Sequence, residues 1–518
     1  MNFYKSIKAL PSEWKLILGF ASLKIAIHFL SYSNFELHRD AYLYYAQSEH
    51  LAWGFTSIPP LNALLGKIAT LIFGNTTFGL RFFPALIGGA NVIIIGMAVR
   101  ELGGKSMAIV LASLAFILSP AYLHTNSLFQ PVSLNQFFWL LSEYLLLLMI
   151  KREDPKFWLW IALVFGLAFL NKYSIVFLDT ALGLALLFSP YRYFYKSKYF
   201  AYAVGLGLVI ILPNLLWQFR HQWPVFRHLA ELRESQLVHV RFSGFFIDQL
   251  LMNSHAILIW LGALLMLFFY KKETNYRVFG MLYVFVLVIL VLGSGKSYYS
   301  LGAYPMLFVF GAYFIEKYIT KYQVYVIGFL ILSMLSVLYI SQSFDGIPFS
   351  TVEKIRTEKG FSWEDGVSHD IPQDMADMTG WQEIGEKVSD LYLSLSPEQQ
   401  SDCDIFCYHY GQAGAVMFYG KQHRLPQPIS FNDSFVFWSP DSLTKDYMIW
   451  VHAGNELEIN PDSLLPEIFE KVELKSFIDN ENFRENGSKI YLCQTPREGY
   501  KKYYKARIKA LKGLYQNG

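Results

Sequence analysis

The feature that most constrains this chain is a series of apolar runs that stops at residue 344. A bilayer core takes about 20 apolar residues per helix. Runs of that kind lie near 14–32, 80–99, 105–123, 131–150, 157–171, 173–189, 199–217, 252–270, 277–293, 298–316 and 322–341, which predicts eleven spans. A shorter apolar stretch, 59–73, follows Pro59-Pro60 and reads as an interfacial or re-entrant helix. Charged residues make up 16% of the chain, against about 25% in ordinary soluble domains. That excludes a disordered chain, a nucleic-acid binder built on basic patches and a wholly soluble enzyme. The net charge of +3 joins two unlike parts: residues 1–344 hold 26 Lys and Arg against 14 Asp and Glu, and residues 345–518 hold 18 against 27. The chain therefore divides into a membrane block, 1–344, and a soluble domain, 345–518.

Lys5 and Lys8 precede the first run with no small-residue cleavage site behind it, as in an uncleaved anchor. Basic residues favour cytoplasmic loops. One set of segments carries fifteen of them, including Lys5, Arg100, Lys151 and Lys271, and the other set nine, spread over more sequence. This places the N-terminus inside, and an odd number of spans then places residues 345–518 outside. The two long loops, about 33–79 and 218–251, fall on the outer face, and long loops tend to carry function. Four cations stand at outer span ends: Arg39, Lys172, Arg220 and Lys296. Each can snorkel to headgroups. As a group they also suit a polyanionic headgroup.

Directly after the first span comes His38-Arg39-Asp40, then a run with Tyr42, Tyr44 and Tyr45. A carboxylate at that position can take a proton from an acceptor hydroxyl as a general base. Asp40 also suits a helix N-cap, and the two roles are compatible. Lys24, Glu143 and Asp179 lie within spans, where pairing with one another or with the backbone of another helix would offset their cost. Lys24 with Glu143 or Asp179 is one such pairing. The segment from Phe226 to Leu237 reads as an amphipathic surface helix.

In the second part, 381–393 has helical spacing, 404–408, 447–451 and 489–492 read as strands, and 411–419 as a helix after a glycine turn. A small α/β domain follows. The turn YGQAGA, 410–415, can present backbone N–H groups to an anion or be a plain tight turn. The tail from Arg497 to Lys512 is basic and either lies on anionic headgroups or forms a solvated helix. The three cysteines, Cys403, Cys407 and Cys493, have no metal-site spacing, so no metal ligand is assigned. Cys403 and Cys407 on one strand could not bridge each other. No cofactor is expected; a divalent metal is possible, but the sequence does not support one.

Several motifs in order resemble one family. They are the acidic residue after the first span, the Trp53-Gly54-Phe55 turn, Pro59-Pro60, RFFPAL (81–86), PVSLNQFFW (131–139), GLAFLNK (166–172), PNLLWQ (213–218), KSYYSLGAYP (296–305), YGQAGA and LPQPIS (425–430). Together they are similar to the GT-C glycosyltransferases of family 39. The likeness is to the branch with the PMT_2, or RgtA/B/C/D-like, domain, related to dolichyl-phosphate-mannose-protein mannosyltransferases. It covers nearly the whole chain and includes a bacterial subgroup with a soluble C-terminal domain.

The resemblance implies a polytopic α-helical membrane protein of GT-C type, about eleven spans plus interfacial helices, with an extracytoplasmic α/β domain. It implies inverting transfer of a sugar from a polyprenyl-phosphate donor to a lipid, glycan or protein acceptor at the outer face of a bacterial inner membrane. Membrane lipids are further partners, and nucleic acid is not. Asp40 inherits the role of base. Lys172, Lys296, Tyr298 and Tyr299 match the motifs that hold the lipid phosphate, with Arg39, Arg220 and His221 beside them. The chain departs from the family where it has Asp40-Ala41 for Asp-Glu, Ser57-Ile58 before the Pro pair, and Asn135 where many relatives have Asp. The alternative is a transporter or flippase of lipid-linked glycans. That explains the spans and outer cations, but a transporter is expected to show matched halves, and the sequence carries no such repeat.

Overall fold

A computed structural model describes residues 11–235, 237–239, 242–341, 360–364, 366–455 and 460–515. The expected boundary at 344 and 345, and Lys5 and Lys8, lie outside the described residues. The chain divides into two compact units: Met1–Tyr32, Arg81–Pro213 and Leu232–Ile355 form one, and Ser33–Leu80, Asn214–Glu231 and Arg356–Gly518 the other.

Among the described residues, six helices are long and apolar enough to cross a bilayer: Ser12–Ser31, Thr77–Leu102, Pro131–Arg152, Lys198–Arg220, Lys271–Leu292 and Ser297–Tyr318. Two helix pairs bent by 110° and 58° raise the count to eight if each is one span. The eleven spans expected from hydropathy are not reached, because apolar runs also fold as short helices such as Ser106–Ile117 and Phe157–Phe169. Helices of 12 and 13 residues reach about 18–20 Å, less than the ~30 Å of hydrocarbon core. The run 59–73 forms a helix, Leu61–Phe73, behind the proline pair.

In the first unit, Pro131 opens its helix at a position where its missing N–H is no loss. Lys24 is fully buried. Its ammonium donates to the Tyr122 carbonyl at 3.0 Å and lies 5.2 Å from the Phe116 ring centre. Of the expected partners it takes the backbone of another helix, not Glu143 or Asp179. A main-chain carbonyl and a ring face supply the partners instead, and both Glu143 carboxylate oxygens are buried without a hydrogen-bond partner among the described residues.

The second unit is built on helices α1 (Arg39–Glu49), α2 (Trp381–Leu393), α3 (Tyr410–Gly420) and α4 (Glu498–Gly513) and strands β1 (Cys403–Cys407), β2 (Tyr447–His452), β3 (Phe469–Phe477) and β4 (Lys489–Pro496). The sheet runs β1-β2-β4-β3. β1 and β2 are parallel, pairing Cys403 with Tyr447 and Cys407 with Val451, so the chain between them must cross over, and α3 lies on that crossover. β4 is antiparallel to both its neighbours. β2 is buried from Met448 to His452, as a central strand covered on both faces must be. One core joins Phe406, Trp450, Phe469 and Tyr491 to Tyr500, Tyr504 and Ile508 of α4. The edge strand β3 turns Lys471, Glu473 and Lys475 to solvent as an ion-paired row, which discourages pairing with another chain.

All three thiols are buried and free. β2 stands between the strands that carry Cys403 and Cys493, and burial pushes both of those thiols up to about 12.

Candidate functional site

The second unit gathers a charged cluster around Asp40. Its frame is the stretch before α1. The Glu36 carboxylate accepts from the main-chain N–H groups of Gly380 (3.1 Å) and Gln382 (2.9 Å), where the positive end of the α2 dipole favours an anion. The Arg39 N–H donates to the Asp377 carbonyl at 2.8 Å. α2 is held in turn because Trp381, Ile384, Gly385 and Val388 form its buried stripe.

α1 and α3 approach closely. A Cβ on Gly414 would lie 2.5 Å from the Tyr42 carbonyl oxygen, and one on Gly411 2.8 Å from Arg39 Cγ. The glycines of YGQAGA thus serve this contact. The first two N–H groups of the turn are already engaged within the protein: Gly411 N–H donates to His409 Nδ1 at 3.1 Å and Tyr410 N–H to Asn432 Oδ1 at 3.4 Å.

The N-cap of α1 is His38, not Asp40. The Asp40 N–H donates to His38 Nδ1 at 3.1 Å, so Asp40 sits within the first turn and its side chain is left for other contacts. The capped ring carries its proton on Nε2, which stands 3.7 Å from Asp374 Oδ1 and 3.6 Å from Asp377 Oδ2. Burial would lower His38, but the Asp374 contact and the charges of Asp40 and Asp377 outweigh it and raise it. Protonating Nδ1 would remove the cap, so the carboxylates and the cap pull this ring in opposite directions.

Asp40 Oδ1 accepts the Tyr410 hydroxyl at 2.7 Å, and Arg39 Nε stands 3.8 Å from the same oxygen. Crowding by protein pushes the Asp40 carboxyl up. His38, Arg39, the Tyr410 hydroxyl and Arg484 together hold it below the ordinary aspartate range, so it is ionised at neutral pH. Asp40 is 31% exposed, whereas His38 is 6%, Arg39 12% and Asp377 1%. Of these, it is the group a solute can reach. Arg39 also lies 3.9 Å from Asp377 Oδ1 and 5.4 Å from the Tyr410 ring centre. Arg484 Nη1 donates to both Asp377 oxygens at 3.1 Å.

His38, Asp374 and Asp377 bring ligand-type atoms within 4.8 Å of one another. Arg484 already neutralises Asp377 through both oxygens, and the cluster is accounted for as an ion-pair network.

Glu485 is buried behind Arg39 and Arg484. Burial raises it to about 7 against those two cations and the 2.8 Å hydrogen bond from Gln412. The folded state favours its neutral form, so its contribution to stability is complete below the ordinary glutamate range and is lost as pH rises through about 7. The thermal midpoint of the wild type is expected to fall between pH 5 and 8, and Glu485→Gln to fall less over the same interval.

The other predicted residues divide between the units. In the first, Lys172 Nζ lies 5.7 Å and 5.0 Å from the ring centres of Tyr298 and Tyr299, and the Tyr299 N–H donates to the Lys296 carbonyl at 3.1 Å. The structure thus brings Lys172 to Tyr298 and Tyr299, with Lys296 in the same turn as the two tyrosines. In the second, Arg220 is exposed at a helix end. His221 is stacked 4.0 Å from Trp217 with Nδ1 2.8 Å from the Trp217 carbonyl oxygen, and its edge meets Phe437. Sequence reasoning did not assign Tyr410, Asp377 and Arg484 to the Asp40 cluster. Only the YGQAGA motif signalled one of them.

Comparison with known proteins is consistent with this architecture. Residues 57–217 match the family described as dolichyl-phosphate-mannose-protein mannosyltransferase. Of the predicted site residues that segment contains Lys172 alone. The chain is 24% identical over 218 residues to the lipid A galacturonosyltransferase RgtD of Rhizobium johnstonii, covering 42% of this chain and 45% of that protein. It thus spans less than half the length of this curated relative. The fold is similar to that of ArnT from Cupriavidus metallidurans bound to undecaprenyl phosphate, with a TM-score of 0.60 at 12% identity over 91% of this chain and 97% of that one. The apo form of ArnT gives 0.59 at 13% identity, over 93% and 98%.

Proposed function

We propose that the chain is a GT-C glycosyltransferase of family 39 and that it transfers a sugar from a polyprenyl-phosphate donor to an acceptor hydroxyl or phosphate. Asp40 is the general base. The observation that carries this is the state of Asp40: ionised, partly open to solvent and held through one oxygen by Tyr410. The acceptor gives its proton to the Asp40 carboxylate as its oxygen attacks the anomeric carbon. The bond to the lipid phosphate breaks on the opposite face of that carbon, which inverts its configuration. Negative charge then grows on the leaving phosphate, and fixed cations and hydroxyl donors stabilise that charge. Lys172, Lys296, Tyr298 and Tyr299 have the chemistry for this, with Arg220 and His221 as further candidates. Arg39 has the surroundings of a residue that orders carboxylates, and it is assigned to Asp40 rather than to the donor. Basic loop patterning supports a bacterial inner-membrane location with the Asp40 loop and residues 345–518 on the extracytoplasmic face. Acceptors of the lipid A type are favoured by the RgtD likeness.

The test is a transfer assay with purified protein, a radiolabelled polyprenyl-phosphate sugar and a lipid A acceptor. Lys172→Met is expected to cut kcat/KM for the donor at least tenfold, because charge-assisted contacts to phosphate contribute about 1.5–3 kcal/mol. An unchanged kcat/KM would remove Lys172 from the phosphate site. Donor carried intact across liposomes, with no transfer, would favour the flippase.

A further inference from the structure

We infer that Tyr410, supplied by the C-terminal soluble segment, is a positioning residue for Asp40, fixing which carboxylate oxygen receives the acceptor proton. This rests on Asp40 being the base. The Tyr410 hydroxyl donates to Asp40 Oδ1 at 2.7 Å, so Oδ1 is engaged, and Oδ2, 3.9 Å from His38 Nδ1, is the oxygen left to take the acceptor proton. The hydroxyl is not placed by chance. Tyr410 is the first residue of α3, a helix fixed by the His409 cap, by the reciprocal contact between Gln412 and the His409 N–H, and by the close approach of Gly414 to Tyr42. Its ring packs against the imidazole of His409, 4.1 Å away and tilted to it, and against the guanidinium of Arg39 at 5.4 Å. A phenol held in this way has little freedom to turn away from Asp40. The glycine motif, its turn and the soluble domain that carries them thereby become parts of the catalytic centre.

The groups facing Asp40 are His38 and Arg39 at the start of α1, His409 and Tyr410 at the start of α3, and Arg484 ahead of β4. Of these, Tyr410 alone donates a hydrogen bond to the carboxylate through a neutral hydroxyl. Removing that hydroxyl leaves the charges in place and raises the pH at which Asp40 gains its proton.

The experiment compares pH profiles of kcat for the full-length wild type, Tyr410→Phe, Asp40→Asn and protein with 3-fluorotyrosine in place of Tyr410. For Tyr410→Phe the expected result is a roughly tenfold lower kcat and an acid limb moved up by about one pH unit, with KM for the donor little changed. The fluorinated phenol is a stronger donor and is expected to move the acid limb down. It keeps the ring, so it reports even if Tyr410→Phe fails to fold. Acid limbs that coincide with wild type in both tyrosine variants, with Asp40→Asn inactive, overturn the role of Tyr410 and leave Asp40 as base. Full transfer by Asp40→Asn overturns both.

Discussion

Asp40→Asn is expected to lower kcat for sugar transfer by about a hundred- to ten-thousand-fold, the usual contribution of a positioned general base. Asparagine keeps the shape of the side chain and accepts from the Tyr410 hydroxyl, but it cannot take a proton at neutral pH. The substitution therefore separates the chemistry from the packing of α1 on α3. KM for the donor should change little, since no donor contact is assigned to Asp40. The wild-type profile should also carry an acid limb below the ordinary aspartate range, because His38, Arg39, Tyr410 and Arg484 outweigh the crowding that raises this carboxyl. As pH falls through that lowered value, the stability that Asp40 lends to the cluster is lost with its charge. A variant with wild-type kcat would show that the proton leaves by another group.

Asp377→Ala is expected to destabilise the second unit by about 3–5 kcal/mol, the usual cost of removing one partner from a buried ion pair. Asp377 is 1% exposed, accepts from Arg484 through both oxygens and faces Arg39 at 3.9 Å. Its loss leaves two guanidinium groups in a crowded site whose other carboxylates are Asp40, Asp374 and Glu485. Denaturant unfolding followed by tryptophan fluorescence would read the effect, since Trp381 is fully buried nearby and its indole N–H donates to the Asp377 carbonyl at 2.8 Å. A loss below about 1 kcal/mol, the value of an exposed pair, would mean that the cluster is solvated and does not order Asp40.

Much of the local structure was legible because it follows from spacing. The helix at 381–393 was recovered to the residue, since its apolar residues repeat at helical intervals. The strands carrying Cys403, Tyr447 and Lys489 were found through their short apolar runs. β3 was missed because FEKVELKSF reads as charged: it is an edge strand with half its residues in water. The eleven spans counted from hydropathy exceed the six to eight helices long and apolar enough to cross a bilayer among the described residues, because hydropathy does not distinguish a spanning helix from a buried 12-residue one. Within the candidate site, Asp40 was legible from its place after the first span, and Lys172 and its tyrosines from motif order. Its surroundings were not, because Tyr410 lies 370 positions away in sequence and no local pattern encodes so distant a contact. The cap was misread for a similar reason: aspartate is the commoner cap, but here the preceding histidine ring reaches the Asp40 N–H and Tyr410 takes the carboxylate.

The central claim is that a sugar leaves a lipid phosphate in a reaction that needs Asp40. The most direct measurement is the release of free polyprenyl phosphate from a doubly labelled donor, followed together with the appearance of label on a lipid A acceptor, for wild type and Asp40→Asn. The account predicts one polyprenyl phosphate released per sugar transferred by the wild type and almost none of either by the variant. Donor that stays intact while the protein is folded and saturated, or equal release by both proteins, would contradict it.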